Sequence, residues 1–167
     1  MENETKKSEE ILFTPHFSLK ELSKTKYATP DENKPGIVAV ENLRTLCFDW
    51  LEELRLRYNL RYVIGADDDY ETSDVVEPLV INSGYRNYEV NKAAGGSPNS
   101  NHLTGCAVDI RCIGVEQQIR YAALLLDIAD ETGREFDELF LEHKGTNYWI
   151  HLTSRPTHNR GKVKMIG

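Results

Sequence analysis

The residues with the most chemical potential lie close together in the chain. Gly95-Gly-Ser-Pro-Asn-Ser-Asn-His102-Leu-Thr-Gly105-Cys-Ala107-Val-Asp109 follows shortly after Ser83-Gly-Tyr-Arg86. Asp109 stands in the middle of an otherwise apolar segment, where an uncompensated carboxylate costs several kcal/mol. A cation is expected beside it. A glycine-containing turn brings His102 back to the same neighbourhood, and Ala107, on the face of Asp109, leaves room for an ion. Downstream, Tyr148-Trp149-Ile-His151-Leu-Thr153 alternates, so that Trp149 and His151 share the face opposite Ile150 and Leu152. Two imidazoles and one carboxylate, with a fourth position open to water, are the ligand set of a catalytic zinc site. Zinc so held lowers the pKa of its water to about 7 and polarises a carbonyl. Residue types alone leave a second reading open, in which Asp109 forms a salt bridge to Arg86 or Arg111 and no metal is bound.

These residues need a frame. Ser18-Leu-Lys-Glu21 has the form of a capping box and opens a short helix after Phe13-Thr-Pro-His-Phe17. Val40, Leu43, Cys47, Trp50, Leu51 and Leu54 recur at helical spacing and predict an amphipathic helix over roughly 38–58. Tyr62-Val-Ile64 is a candidate strand, and Leu79-Val-Ile81 a stronger one ending at Asn82-Ser-Gly84. Residues 93–101, rich in Gly, Ser, Asn and Pro, read as loop. From Gly105 to Cys112 the pattern alternates, with Cys106, Val108, Ile110 and Cys112 on one face and Ala107, Asp109 and Arg111 on the other. A second helix spans about 115–132, with Ile119, Ala122, Ala123, Leu126 and Ala129 inward and Gly133 closing it. Phe136 to Glu142 and Tyr148 to Thr153 are two strands joined by His143-Lys-Gly-Thr-Asn147. The expectation is an α+β fold, with helices on one side of a mostly antiparallel sheet and the zinc site on its other face. Residues 1–12 read as a disordered tail and 13–167 as a single domain.

Composition narrows the possible partners. Of 167 residues, 40% are hydrophobic and 28% charged, the balance of a globular protein. A net charge of −7 argues against nucleic acid, whose phosphates call for clustered Lys and Arg. The acid concentrates in Asp67-Asp68-Asp69-Tyr70-Glu71 with Asp74 and Glu77, a stretch that reads as a solvated loop. Cys47, Cys106 and Cys112 sit in apolar patterns without C-x-x-C spacing and are expected as buried free thiols. No apolar run nears the roughly 20 residues of a membrane span. The polar N-terminus lacks the core of a signal peptide, so synthesis in the cytoplasm as a monomer is expected.

Ser100-x-His102-x-x-Gly105-x-Ala107-x-Asp109, followed by Trp149-x-His151, resembles the zinc D-Ala-D-Ala carboxypeptidase family, which includes phage endolysins and vancomycin-resistance dipeptidases. The closer resemblance is to its small single-domain branch. It rests on His16-Phe-Ser-Leu-Lys-Glu-Leu22, Glu41-Asn-Leu-Arg44, the Ser-Gly-Tyr-Arg element at 83–86 and the Asn91 to His102 loop. It covers about residues 13 to 154. The resemblance implies a Zn2+-dependent peptidase acting on the peptide of bacterial cell-wall peptidoglycan. By the same resemblance His102, Asp109 and His151 bind the metal and Arg86 takes the substrate carboxylate. A guanidinium suits that task, because its fixed fork matches a carboxylate. Ser100 and Trp149 become candidate substrate contacts.

Many relatives carry a carboxylate three residues before the last histidine, where this chain has Tyr148. Others of the small branch have a glutamate at the end of the preceding strand, and here that residue is Glu142. Leu139 and Leu141 suit the core, which turns Phe140 and Glu142 to the opposite face. Pairing Glu142 with Trp149 sets Phe140 opposite His151 and brings Glu142 near the metal. Glu142 could then take a proton from water and pass it to the leaving amine. His143 is the rival base. Two readings of other classes stay open: a non-catalytic, metal-containing wall-binding or virion structural domain, and a metal-free interaction module. The residues do not separate carboxypeptidase from endopeptidase action, nor a bacterial enzyme from one released at the wall during phage lysis.

Overall fold

The structure, a computed structural model, describes residues 10–65 and 68–167. Residues 1–9 of the expected tail and Asp67 of the acidic stretch lie outside them. Among the described residues Leu12 belongs to a strand, and the Ile11 carbonyl accepts from the Leu19 N–H at 2.9 Å. A small hairpin of β1 (Leu12–Thr14) and β2 (Phe17–Ser18) leads into α1 (Leu19–Ser23). The Ser18 hydroxyl accepts from the Glu21 N–H at 3.2 Å, which is the N-cap the S-x-x-E pattern predicts. The Leu22 carbonyl accepts from the Tyr85 N–H at 2.7 Å and ties α1 to the segment that carries Arg86.

The long amphipathic helix forms as α2 (Ile37–Leu46), a π turn (Cys47–Leu51) and α3 (Glu52–Tyr62) in unbroken succession. Leu43, Cys47, Trp50, Leu51 and Leu54 are buried, as their spacing predicts. The helix takes in Tyr62, and Val63 and Ile64 both donate to the Asn59 carbonyl, so the strand expected over 62–64 does not form. Three apolar residues cannot by themselves distinguish a helix end from a strand. Here the ring of Tyr62 packs on Tyr58, with centroids 5.4 Å apart.

The sheet comprises β3 (Ile81–Ser83), β4 (Ala107–Cys112), β5 (Glu138–Lys144), β6 (Asn147–Thr153) and β7 (Lys162–Ile166), in the order β3-β4-β6-β5-β7. Only β5 and β7 run parallel. Strand β3 lies two residues beyond the expected start at Leu79, whose side chain enters the core. The turn between β5 and β6 shrinks from five residues to Gly145-Thr146, because His143 pairs with Tyr148 and Lys144 with Asn147. Gly145 has φ +59°, the left-handed backbone that two-residue hairpins use. Among the elements not anticipated are α4 (Tyr88–Ala93), capped by the Asn87 side chain, and the exposed edge strand β7.

Helix α5 (Gly114–Thr132) lies across the sheet on the side of α2 and α3. Its buried stripe is Tyr121, Ala122, Leu124, Leu125, Ile128 and Ala129, whereas Ile119 is 52% exposed and Ala123 is also exposed. The expected inward set is thus rotated. Gln118 accounts for part of the rotation: its buried amide donates to the carbonyls of Glu142 and Trp149 at 2.8 Å each. Beneath these helices lie Val108, Ile110, Leu139, Ile150 and Leu152, all at 0% exposure. This is the α+β arrangement expected. All three cysteines are buried and free. No described helix is long and apolar enough to cross a membrane.

Candidate metal centre

His102 sits in a 3-10 turn, Asn101–Thr104, that is shaped at both ends. Ser100 caps the start, its hydroxyl accepting from the His102 N–H at 3.2 Å. Gly105 closes the turn at φ +73°, and a Cβ there would stand 2.4 Å from the Ala39 carbonyl oxygen, so only glycine fits. The His102 carbonyl in turn accepts from the Arg86 N–H at 3.1 Å. His102 is 1% exposed, and its Nδ1 lies 2.6 Å from the Gly84 carbonyl oxygen. A carbonyl can only accept, so Nδ1 carries the proton and Nε2 presents a lone pair.

Asp109 and His151 come from facing strands. In the β4–β6 ladder Asp109 is directly opposite His151, and Nδ1 of the ring is 2.8 Å from Oδ1 of the carboxylate. The β5–β6 register then sets Phe140 opposite His151 and Glu142 opposite Trp149, the pairing that strand alternation predicts. Phe140 stacks on the His151 ring at 5.7 Å. Ala107 is fully buried on the same face as Asp109.

Two lone pairs now oppose each other. His102 Nε2 is 3.3 Å from Asp109 Oδ2, and it is buried with no hydrogen-bond partner. Two acceptors at that distance call for a proton or a metal cation between them. Ligand atoms of His102, Asp109 and His151 all fall within 4.8 Å of one another, so the three residues fit a divalent metal. Burial pushes the Asp109 carboxyl upward, but the neighbouring imidazoles of His102 and His151 hold it well below its usual range. Burial lowers His151, and the hydrogen bond and charge of Asp109 reverse that to a net rise. Both directions describe a site built for positive charge.

A cavity of about 600 Å³ opens over this face. Arg86, Ser100, Glu142 and Trp149 line it with the three candidate ligands. Arg86 Nη2 is 3.6 Å from Asp109 Oδ2, while its Nε is buried and unpartnered. Burial lowers its pKa. Arg86 therefore touches Asp109 as the salt-bridge reading requires, but that contact leaves His102 Nε2 unsatisfied. The Glu142 carboxyl is pushed up, chiefly by burial. Ser100 is already engaged in capping. His143 is exposed, stacks on Tyr148 and does not line the cavity.

Glu138 and Arg160 also line the cavity, and the sequence reading passed over both. Glu138 was legible, since Glu138, Phe140 and Glu142 alternate onto one face. Arg160 follows the last expected strand, and no local pattern ties it to the site.

The family model described as Peptidase M15 matches residues 15–153, a span that contains every candidate ligand together with Arg86 and Glu142. No curated protein matches the chain.

Proposed function

Because the chain belongs to the peptidase M15 family, we propose that it is a zinc-dependent hydrolase of peptidoglycan stem peptides, acting on D-alanine-containing bonds. The observation that carries this reading is the buried, unpartnered Nε2 of His102 facing Asp109, with His151 alongside. Zinc held by these three residues would supply Lewis acidity, lowering the pKa of a water and polarising the scissile carbonyl. The donor set of two imidazoles and one carboxylate suits zinc.

The chain's own groups do the rest. Arg86, inside the cavity with a buried unpartnered Nε, receives the carboxylate of the substrate. Glu142 takes the proton of the attacking water and returns it to the amine that leaves. Burial raises the Glu142 carboxyl above the ordinary glutamate and makes it the stronger base. Trp149 lines the cavity beside it and offers an apolar wall. A carboxylate base on the face of the ligands supports turnover over a wall-binding role alone.

Amine release from purified stem peptide, on metal-quantified protein with and without chelator, tests the proposal. Chelator-sensitive release of D-alanine establishes carboxypeptidase action, and release of an internal amine establishes endopeptidase action. One bound zinc without release would overturn the catalytic reading.

A further inference from the structure

The last strand sets cations beside the candidate metal face. Residues 143–167 hold five Lys and Arg and no Asp or Glu, in a chain whose net charge is −7. Strand β7 runs parallel to β5, with Lys162 beside Glu138, Lys164 beside Phe140 and Ile166 beside Glu142. Side chains alternate along a strand, so Lys162, Lys164 and Ile166 share the face of the candidate ligands, while Val163 and Met165 turn to the other. Ile166 lines the cavity. Lys164 Nζ lies 5.8 Å from the centroid of the Phe140 ring, the same ring that stacks on His151.

The cations of this flank are not equivalent. Arg160 Nε and Nη2 donate to the fully buried Asp137 carboxylate at 2.8 and 2.6 Å, and Nη2 also donates to Glu138 Oε1 at 2.6 Å. Its charge is compensated, and it in turn neutralises Glu138 in the cavity wall. Arg155 and Arg160 take the ion pairs of this segment. Lys162 and Lys164 are exposed and form none among the described residues. Arg86 stands at the opposite flank, three residues beyond β3 and 3.6 Å from Asp109. The order β3-β4-β6-β5-β7 therefore sets Arg86, the candidate ligands, Phe140 and Lys164 in succession across one face. Strands about 4.8 Å apart place β7 about 10 Å from β6, the reach of about three residues of extended peptide.

Resting on the peptidase reading above, we infer that Lys164, with Lys162 beside it, receives a second carboxylate of the substrate, on the acyl side of the scissile bond and about three residues from it. A terminal carboxylate at Arg86 leaves the acyl chain to run from the metal over Phe140 toward β7. The substrate is then an acidic peptide met by a cation at each end of the cavity, and amidation of its inner carboxylate removes one of the two contacts. An ammonium on a flexible stem suits a carboxylate whose position varies from one peptide to the next. The contact is exposed, so its effect is modest and weakens with salt.

The test uses synthetic pentapeptides ending in D-alanine, with either glutamate or glutamine as the third residue before the scissile bond. Both kcat/KM and Kd are measured on zinc-loaded protein at low and at high ionic strength. The parent should prefer the glutamate peptide by about three- to tenfold, and the preference should fade at high salt. Lys164→Gln should lower that ratio, Lys162→Gln with Lys164→Gln should bring it to about one, and Lys164→Arg should keep it. Equal treatment of the two peptides by a parent that cuts both would overturn the inference and leave the peptidase reading standing. A preference unchanged in the double variant would do the same. Preferential binding without hydrolysis would support the acid contact and overturn the peptidase reading. A parent that neither binds nor cuts either peptide would overturn both.

Discussion

Asp109 and His151 are paired residues of the β4–β6 ladder, and their side chains meet at 2.8 Å on the face opposite Ile110 and Ile150. Directly opposed residues of antiparallel strands share a face, so two side chains separated by 42 positions in the chain are brought together by backbone pairing alone. His102 completes the group from a capped turn at the entrance to β4. Two candidate ligands sit on paired strands and the third on a turn capped by Ser100 and closed by Gly105.

Removal of one imidazole should abolish metal binding. His102→Ala is expected to lose zinc stoichiometry and to reduce hydrolysis to background. In the parent, zinc at 100 times its dissociation constant should raise stability by about 2.7 kcal/mol, and the variant should show no such gain. Melting curves with and without zinc, beside metal analysis, check this. Full activity in the variant would sink the mechanism.

Glu142→Gln separates proton transfer from metal binding. The variant should keep one zinc and lose about 10²–10⁴-fold in kcat. Unchanged turnover would mean that another group takes the proton.

Arg86→Ala tests recognition of the substrate carboxylate. A charge-assisted contact made equally in ground and transition states should raise KM by about 10–100-fold and leave kcat nearly unchanged. A substrate capped as its C-terminal amide should bring parent and variant together. Equal sensitivity of both proteins to the cap would remove Arg86 from this role.

Gly105→Ala addresses the turn that aims His102. Left-handed backbone together with the approach to the Ala39 carbonyl should cost about 2 kcal/mol or more. Denaturant unfolding of the metal-free chain reads this directly, and a variant as stable as the parent would contradict the geometry.

Asp137 predicts an acid limb to stability. The hydrogen bond from Arg160, with the neighbouring arginine charge, holds its carboxyl at about 2, below the ordinary 3.8. A group depressed on folding stabilises the fold above its unfolded pKa, and that contribution is lost as pH falls through its folded value. The loss should amount to about 2 kcal/mol between pH 4 and pH 2. Metal-free Asp137→Asn should show a correspondingly shallower decline over the same window. An unchanged decline would assign the acid limb to other carboxylates.

Period-two alternation was enough to sort Asp109, His151, Trp149, Phe140 and Glu142 onto one face, and to anticipate that Glu142 opposes Trp149. Strand faces are a local property, because successive side chains point to opposite sides whatever the partner. Helix faces were less legible. The stripe of α5 turns away from Ile119 because Gln118 reaches carbonyls of β5 and β6, and a polar residue spent on such a bond looks like surface in a hydrophobicity pattern.

The chain by itself determined the ligand types, their faces and the turn chemistry around His102, since each depends on neighbours within a few residues. Tertiary structure alone decided which nitrogen of His102 is free, because the carbonyl that fixes it belongs to Gly84, 18 positions earlier. It alone separated the clamped Glu138 from Glu142, through an arginine 22 positions beyond Glu138. Electrostatic partners are chosen by distance in space, and a linear pattern carries no record of that distance until the sheet has closed.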